Sequence, residues 1–259
     1  MFSLDEFMGI LESVCPLSLS HKMMEKGSYD NSGLLIKSSQ NVSKILFSLD
    51  LSLDAVKEAV QSNCDTILTH HPAIYEPLKS LSYTGETAPI TLAVKNQINV
   101  ISMHLNLDIA DRGIDQLLCE GLGGENIEIL EFVDEKNGYG RQASIKETTL
   151  NEFATKIKQT FMSDKIIFYG NKVVKKIASF CGSGASQAVE HLDRLTADTI
   201  VSSDIPHHHL KTLIENGKNV VIIPHYVSEQ YGFNGFYALL TEKLNGKAQT
   251  FYFLDKRFM

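Results

Sequence analysis

Short apolar runs alternate with amphipathic stretches along most of the chain. That alternation predicts strands covered by helices, an α/β architecture. A run at 44–49, with Ile45, Leu46 and Phe47 contiguous, reads as a buried strand. Ser52 then caps a helix carrying Leu53, Val56, Ala59 and Val60 on one face. Strands are also expected at 66–68 and 98–102, and helices at 3–13, 86–96 and 111–121. Pro72, Pro77 and Gly85 make 72–85 a loop. The second half continues with strands expected near 127–133, 139–145, 165–169, 175–180, 199–202, 219–223 and 248–254. Helices fall between them, near 148–162, 184–193, 206–216 and 227–244.

Part of the pattern occurs twice. Asp65-Thr66-Ile67-Leu68-Thr69 is similar to Asp198-Thr199-Ile200-Val201-Ser202. Downstream, Asn99-Val100-Ile101-Ser102-Met103-His104 is similar to Val220-Val221-Ile222-Ile223-Pro224-His225. Two related strand–helix–strand units are therefore expected. Gly123-Gly124 and Lys136-Asn137-Gly138 punctuate the chain between them, which suggests halves at 1–124 and 125–259.

Composition narrows the partners. With 24 basic and 31 acidic residues the formal charge is −7, and no basic stripe is visible. Lys172, Lys175 and Lys176 form the densest cluster, which a solvated edge explains, so a nucleic-acid partner is not expected. No run approaches the roughly 20 apolar residues of a membrane span. The acidic N-terminus lacks the basic start and apolar stretch of a signal peptide, so a cytoplasmic location is expected. Cys15, Cys64, Cys119 and Cys181 are far apart and form no Cys-x-x-Cys pair, which predicts reduced thiols.

Seven of the nine histidines, His70, His71, His104, His207, His208, His209 and His225, cluster where strands are expected to end. His70 and His71 precede Pro72. Neighbours on a regular strand point to opposite faces, but at an irregular strand end both rings can turn to one side. His104 and Asp108 follow another strand and supply an imidazole and a carboxylate. Asp108 could ligate a metal or cap a helix, although Asp111 is the better-placed cap. His225 and Glu229 lie one helical turn apart, so they share a face if a helix starts there. Imidazoles and carboxylates gathered beyond strand ends suit divalent metal ions. His208 is a candidate for substrate contact or proton donation, and His104 for ligation or proton transfer. The turn Cys181-Gly182-Ser183-Gly184 could receive a phosphate on its amides, yet a tight strand-to-helix turn needs glycine anyway. Asp30 and Asn31 could order a turn near the metals or form a turn and nothing more.

These motifs together resemble the Nif-three-like family, whose members are often called GTP cyclohydrolase 1 type 2 homologs. The similarity covers nearly the whole chain. Tyr29-Asp30-Asn31-Ser32-Gly33-Leu34, Thr69-His70-His71-Pro72, His104-Leu105-Asn106-Leu107-Asp108, Asp204-Ile205-Pro206-His207-His208 and His225-Tyr226-Val227-Ser228-Glu229 carry it. Two positions depart from the family pattern: Leu105 replaces a threonine and Pro224 a glycine. The resemblance implies a Nif-three-like fold with a metal site in the cleft between the two units. It implies two divalent ions per subunit, held by His70, His71, Asp108, His225 and Glu229, with Glu229 bridging. His71 and Asp108 would serve one ion, His70 and His225 the other. It also implies a ring-shaped homohexamer. Zinc, iron, manganese and nickel all suit such a ligand set. The expected activity is metal-dependent hydrolysis of a small phosphate- or nucleotide-containing substrate. The alternative is a metal-binding regulatory or scaffold protein without turnover.

Overall fold

The computed structural model describes residues 2–259. The chain packs as two compact units. One comprises Met1–Leu107 with Phe236–Asp255, the other Asp108–Gly235 with Lys256–Met259.

In the first unit, α1 (Leu4–Val14) opens on a capping box. Ser3 Oγ accepts the Glu6 N–H at 3.1 Å, and Glu6 Oε2 accepts the Ser3 N–H at 2.8 Å. There follow α2 (Leu17–Glu25), β1 (Gly33–Ile36), β2 (Lys44–Ser48), α3 (Leu53–Gln61), β3 (Thr66–Thr69), α4 (Ala88–Lys95) and β4 (Asn99–Ser102). Ser52 caps α3 as its position predicts, accepting the Ala55 N–H at 3.1 Å. Two elements were not expected. Pro16 begins α2 with no side-chain cap and only weak amphipathicity, and β1 has just four residues.

α5 (Leu105–Ile109) carries the chain into the second unit, which holds α6 (Ile114–Gly121), β5 (Glu125–Phe132), β6 (Gly138–Thr148) and α7 (Leu150–Thr160). Next come β7 (Ile167–Tyr169), β8 (Val174–Ser179), α8 (Ala185–Glu190), β9 (Thr199–Ser202), α9 (His207–Glu215) and β10 (Asn219–Ile222). Then α10 (His225–Leu244) returns the chain to the first unit for β11 (Gln249–Phe253). Asp111 caps nothing. Its own N–H donates to Asn137 Oδ1 at 2.8 Å, and α6 starts after Gly113, so the helix expected at 111–121 is shorter than expected, and α5 before it was not expected.

The first sheet has the order β1-β4-β3-β2-β11 and the second β5-β6-β8-β9-β10-β7. Strands β2, β3 and β4 are mutually parallel, with β1 antiparallel at the edge beside β4. The same arrangement recurs as parallel β8, β9 and β10 with antiparallel β7 beside β10. Ile67 and Val100 centre the first core, packed under Val56, Ala59, Ile90 and Ala93. Ile200 and Val220 centre the second, packed with Ala188 and Leu213.

The internal repeat holds at the level of single hydrogen bonds. Asn99 N–H donates to the Asp65 carbonyl at 2.9 Å, and Asn219 N–H to the Asp198 carbonyl at 2.8 Å. Asp65 Oδ2 accepts the amides of Ser43 and Lys44; Asp198 Oδ2 accepts those of Lys175 and Lys176. Asn99 pairs with Thr66 in register, and Asn219 with Thr199. The second copy therefore starts at Asn219, one residue before the start read from its apolar residues. His104 then corresponds to Pro224 rather than His225.

The units also part elsewhere than at 124/125. β11 runs parallel to β2, pairing Gln249 with Lys44 through Phe253 with Ser48, so the end of the chain belongs with the first sheet. Periodicity identifies a strand but carries no information about which sheet it joins. Among the described residues, no helix is long and apolar enough to cross a membrane.

Candidate metal centre

In the first unit β3 and β4 end together, with Thr69 opposite Ser102. Their hydroxyls lie 2.6 Å apart, and Thr69 Oγ1 also donates to the His71 carbonyl at 2.8 Å. The amides of His70 and His71 both donate to the Leu49 carbonyl, at 3.1 and 3.0 Å. Sharing one acceptor breaks the strand alternation, and the two rings come together with centroids 4.9 Å apart. His104, just past β4, brings its ring to 5.2 Å from His70 and 5.8 Å from His71. One candidate ligand atom from each of the three lies within 4.8 Å of the others.

Each imidazole is oriented from behind. His70 Nδ1 meets the Met103 carbonyl at 2.9 Å, His71 Nδ1 meets Asp50 Oδ1 at 2.7 Å, and His104 Nδ1 meets Asp30 Oδ1 at 2.8 Å. Carbonyls and carboxylates only accept, so each Nδ1 is the donor of its pair. Burial pushes the Asp30 carboxyl up, but hydrogen bonds from His104, Ser20 and Ser32 outweigh it and hold the group below the ordinary carboxylate range. Asp30 therefore acts on His104 as a charged acceptor. Asn31 Nδ2 donates to the Ile74 carbonyl and ties down the loop after Pro72.

In the second unit, β10 delivers His225 as the first residue of α10, and Glu229 follows one turn later. His225 Nε2 lies 3.0 Å from Glu229 Oε1, and its Nδ1 meets Asp204 Oδ2 at 2.6 Å. Ser183 donates to the same Asp204 oxygen at 3.1 Å. Ser203 Oγ donates to Ser228 Oγ at 2.8 Å, and Ser228 Oγ to the His225 carbonyl at 2.8 Å, which fixes the first turn of α10. Glu229 is 2% exposed and Asp108 5%. Asp108, on α5, accepts from the Cys181 thiol at 3.5 Å. Burial, with Asp108, Asp115 and Glu229 nearby, holds that thiol well above its ordinary pKa.

Gly182 leaves room for this arrangement. Its φ is +57°, and a Cβ there would lie 2.6 Å from Glu229 Oε1 and 3.5 Å from His225 Nε2. Glu229 is too buried to swing away without leaving His225. Gly182→Ala should therefore lower metal content and cost about 1–2 kcal/mol through the left-handed backbone alone. Elemental analysis beside urea denaturation checks both. Unchanged metal content would mean that Glu229 is not held where these contacts put it.

Four histidines with Nδ1 engaged by an acceptor, three in the first unit and one in the second, and the buried carboxylates of Asp108 and Glu229 are side chains of the kind that hold divalent metal ions. Such ligands normally hand their second ring N–H to a carboxylate or carbonyl. Asp50 and Asp204 are the orienting residues whose part in this arrangement the sequence did not reveal. Each follows a strand end, Asp50 after β2 and Asp204 after β9, and that position was the available signal. His208 is different. It is exposed near the start of α9, with its ring 4.1 Å from that of His209, and it joins no candidate ligand group among the described residues. α8 has only six residues, and the Cys181–Gly184 turn before it lies against Glu229 and His225 through Gly182.

Known proteins share this chain's pattern. The family model described as Duf34/NIF3 (NGG1p interacting factor 3) matches residues 2–257. A Clostridium perfringens protein named GTP cyclohydrolase 1 type 2 homolog is 33% identical over 235 residues, 87% of this chain and 86% of that one. A Methanocaldococcus jannaschii protein of the same name is 30% identical, covering 83% of this chain and 88% of its own. Among solved structures, a Staphylococcus aureus hypothetical protein superposes with a TM-score of 0.87 at 28% identity, covering 98% of this chain and 97% of that one. Reduced HcgD from Methanocaldococcus jannaschii gives 0.79 at 27% identity, covering 97% of each chain.

Proposed function

The chain belongs to the Duf34/NIF3 family, and from that premise we propose that it holds two divalent metal ions and hydrolyses a small phosphate- or nucleotide-containing molecule. The ligands are His70, His71, Asp108, His225 and Glu229, with Glu229 shared by both ions. The observation that supports this reading is the common orientation of the histidines, each with Nδ1 on an acceptor. Zinc, iron, manganese and nickel all suit the mixed imidazole and carboxylate set. Such ions, when bound, supply Lewis-acid polarisation of the electrophile and lower the pKa of water.

The remaining roles fall to the chain itself. We assign to His104, held by Asp30 at Nδ1, the accepting or returning of a proton at Nε2. His208, exposed on α9, is assigned to substrate contact. The relatives' name points to a purine nucleotide as the first substrate to try. We propose the homohexamer as the assembly and the cytoplasm as its location.

The test is metal content of protein purified without chelator, followed by hydrolysis assays on nucleotides and phosphoesters. About two ions per chain are expected, with turnover abolished by a chelator. Metal without turnover on any substrate would move the protein to a scaffold role. No metal after reconstitution would sink the proposal.

A further inference from the structure

Asp108 is joined to a buried polar chain that the hydrolytic chemistry does not itself require. Cys181 Sγ donates to Asp108 Oδ1 at 3.5 Å. The backbone of Cys181 is pinned on both sides. Its N–H donates to Asp115 Oδ1 at 3.0 Å, and its carbonyl accepts from the Tyr139 hydroxyl. Asp115 in turn is fixed by Arg141, whose Nη1 lies 3.1 Å from Oδ2. Arg141 also donates to Gln116 Oε1 at 2.9 Å and to the Gly138 carbonyl at 2.8 Å. Arg141 and Asp115 are 0% exposed and Cys181 2%. No solvent path is needed to explain the order of these groups; each is held by the next.

We infer that Cys181 is a positioning residue for Asp108: its thiol occupies one carboxylate oxygen and so decides which oxygen is offered to an ion. This rests on the metal-binding reading above and adds to its five ligands a residue that ligates nothing. Cys181 belongs to none of the candidate ligand groups among the described residues, which separates it from a thiolate ligand. A cysteine that merely fills space would not need a hydroxyl-like donor at Sγ. The two roles therefore rank replacements in opposite orders. Serine keeps a donor at nearly the same place, whereas alanine keeps only the apolar character. Partners behind a ligand typically matter 10–100-fold in metal affinity.

The experiment uses Co(II) as probe on the full chain, with the parent, Cys181→Ser and Cys181→Ala titrated against a competing chelator. The alanine variant should lose about 10–100-fold in affinity for one of the two ions, with the other ion unchanged. The serine variant should bind like the parent. The near-ultraviolet spectrum of the Co(II) parent should lack a thiolate-to-metal charge-transfer band. An alanine variant that binds like the parent, or a serine variant as weak as alanine, overturns the positioning role. A thiolate band overturns it in favour of direct ligation. A parent that takes up no Co(II) instead overturns the metal-binding reading on which this inference stands.

Discussion

A Glu229→Ala protein should purify almost free of metal, and the parent should carry about two ions per chain. Glu229 is 2% exposed and lies 3.0 Å from His225 Nε2. A ligand serving both ions takes both with it. Asp108→Ala should empty one position only. The stability readout has a distinctive sign. Metal binding to the folded state alone raises stability with metal concentration. Added zinc should therefore raise the melting temperature of the parent and leave Glu229→Ala unmoved. Without metal, the variant should be as stable as the parent or more so, because a buried carboxylate is costly to keep. Elemental analysis and paired melting curves decide it. A variant that retains both ions would end the assignment of Glu229 as the shared ligand.

The largest loss of stability should come from Arg141→Met. The Arg141 and Asp115 side chains are 1% and 0% exposed, and breaking a buried pair by removing one partner typically costs about 3–5 kcal/mol. The loss should depend on pH. Burial pushes the Asp115 carboxyl up to about 6, against the pull of Arg141 and the Cys181 amide. An acid whose pKa is raised on folding favours the folded state while protonated. That contribution is present below the ordinary carboxylate value of about 4 and is lost as pH rises through about 6. Without Arg141 the carboxyl rises further, so the variant should be far closer to the parent at pH 5 than at pH 8. Urea denaturation at the two values measures this. An equal loss at both would show that the charge of Asp115 does not depend on Arg141.

The candidate metal motifs were legible because each sits within a few residues of a strand end. His70 and His71, His104, and His225 with Glu229 all fall there, and strand ends are what apolar runs reveal best. What stayed hidden is what joins distant positions. Asp50 precedes the capping residue Ser52 and reads as a turn acid until His71 is seen beside it. Cys181 meets Asp108 across 73 positions of sequence, and no local pattern can encode that. Asp30 was visible as part of a motif, but a turn and a histidine holder have the same sequence. The repeat was detected one residue out of register, since Val220, Val221 and Ile222 match apolar neighbours in either alignment. The bond from Asn219 to the Asp198 carbonyl and the pairing of Asn219 with Thr199 fix the choice.

The clasp that fixes that register sits at the start of the paired strands in both units, and the functional side chains sit at the far end. Past β3 the first copy bears His70 and His71; past β9 the second bears Ser203 and Asp204. Anchorage and chemistry thus occupy opposite tips of the same strands, about four residues apart. The two copies differ at the far tip while both keep the same clasp, so a doubled unit can carry different chemistry on one foundation.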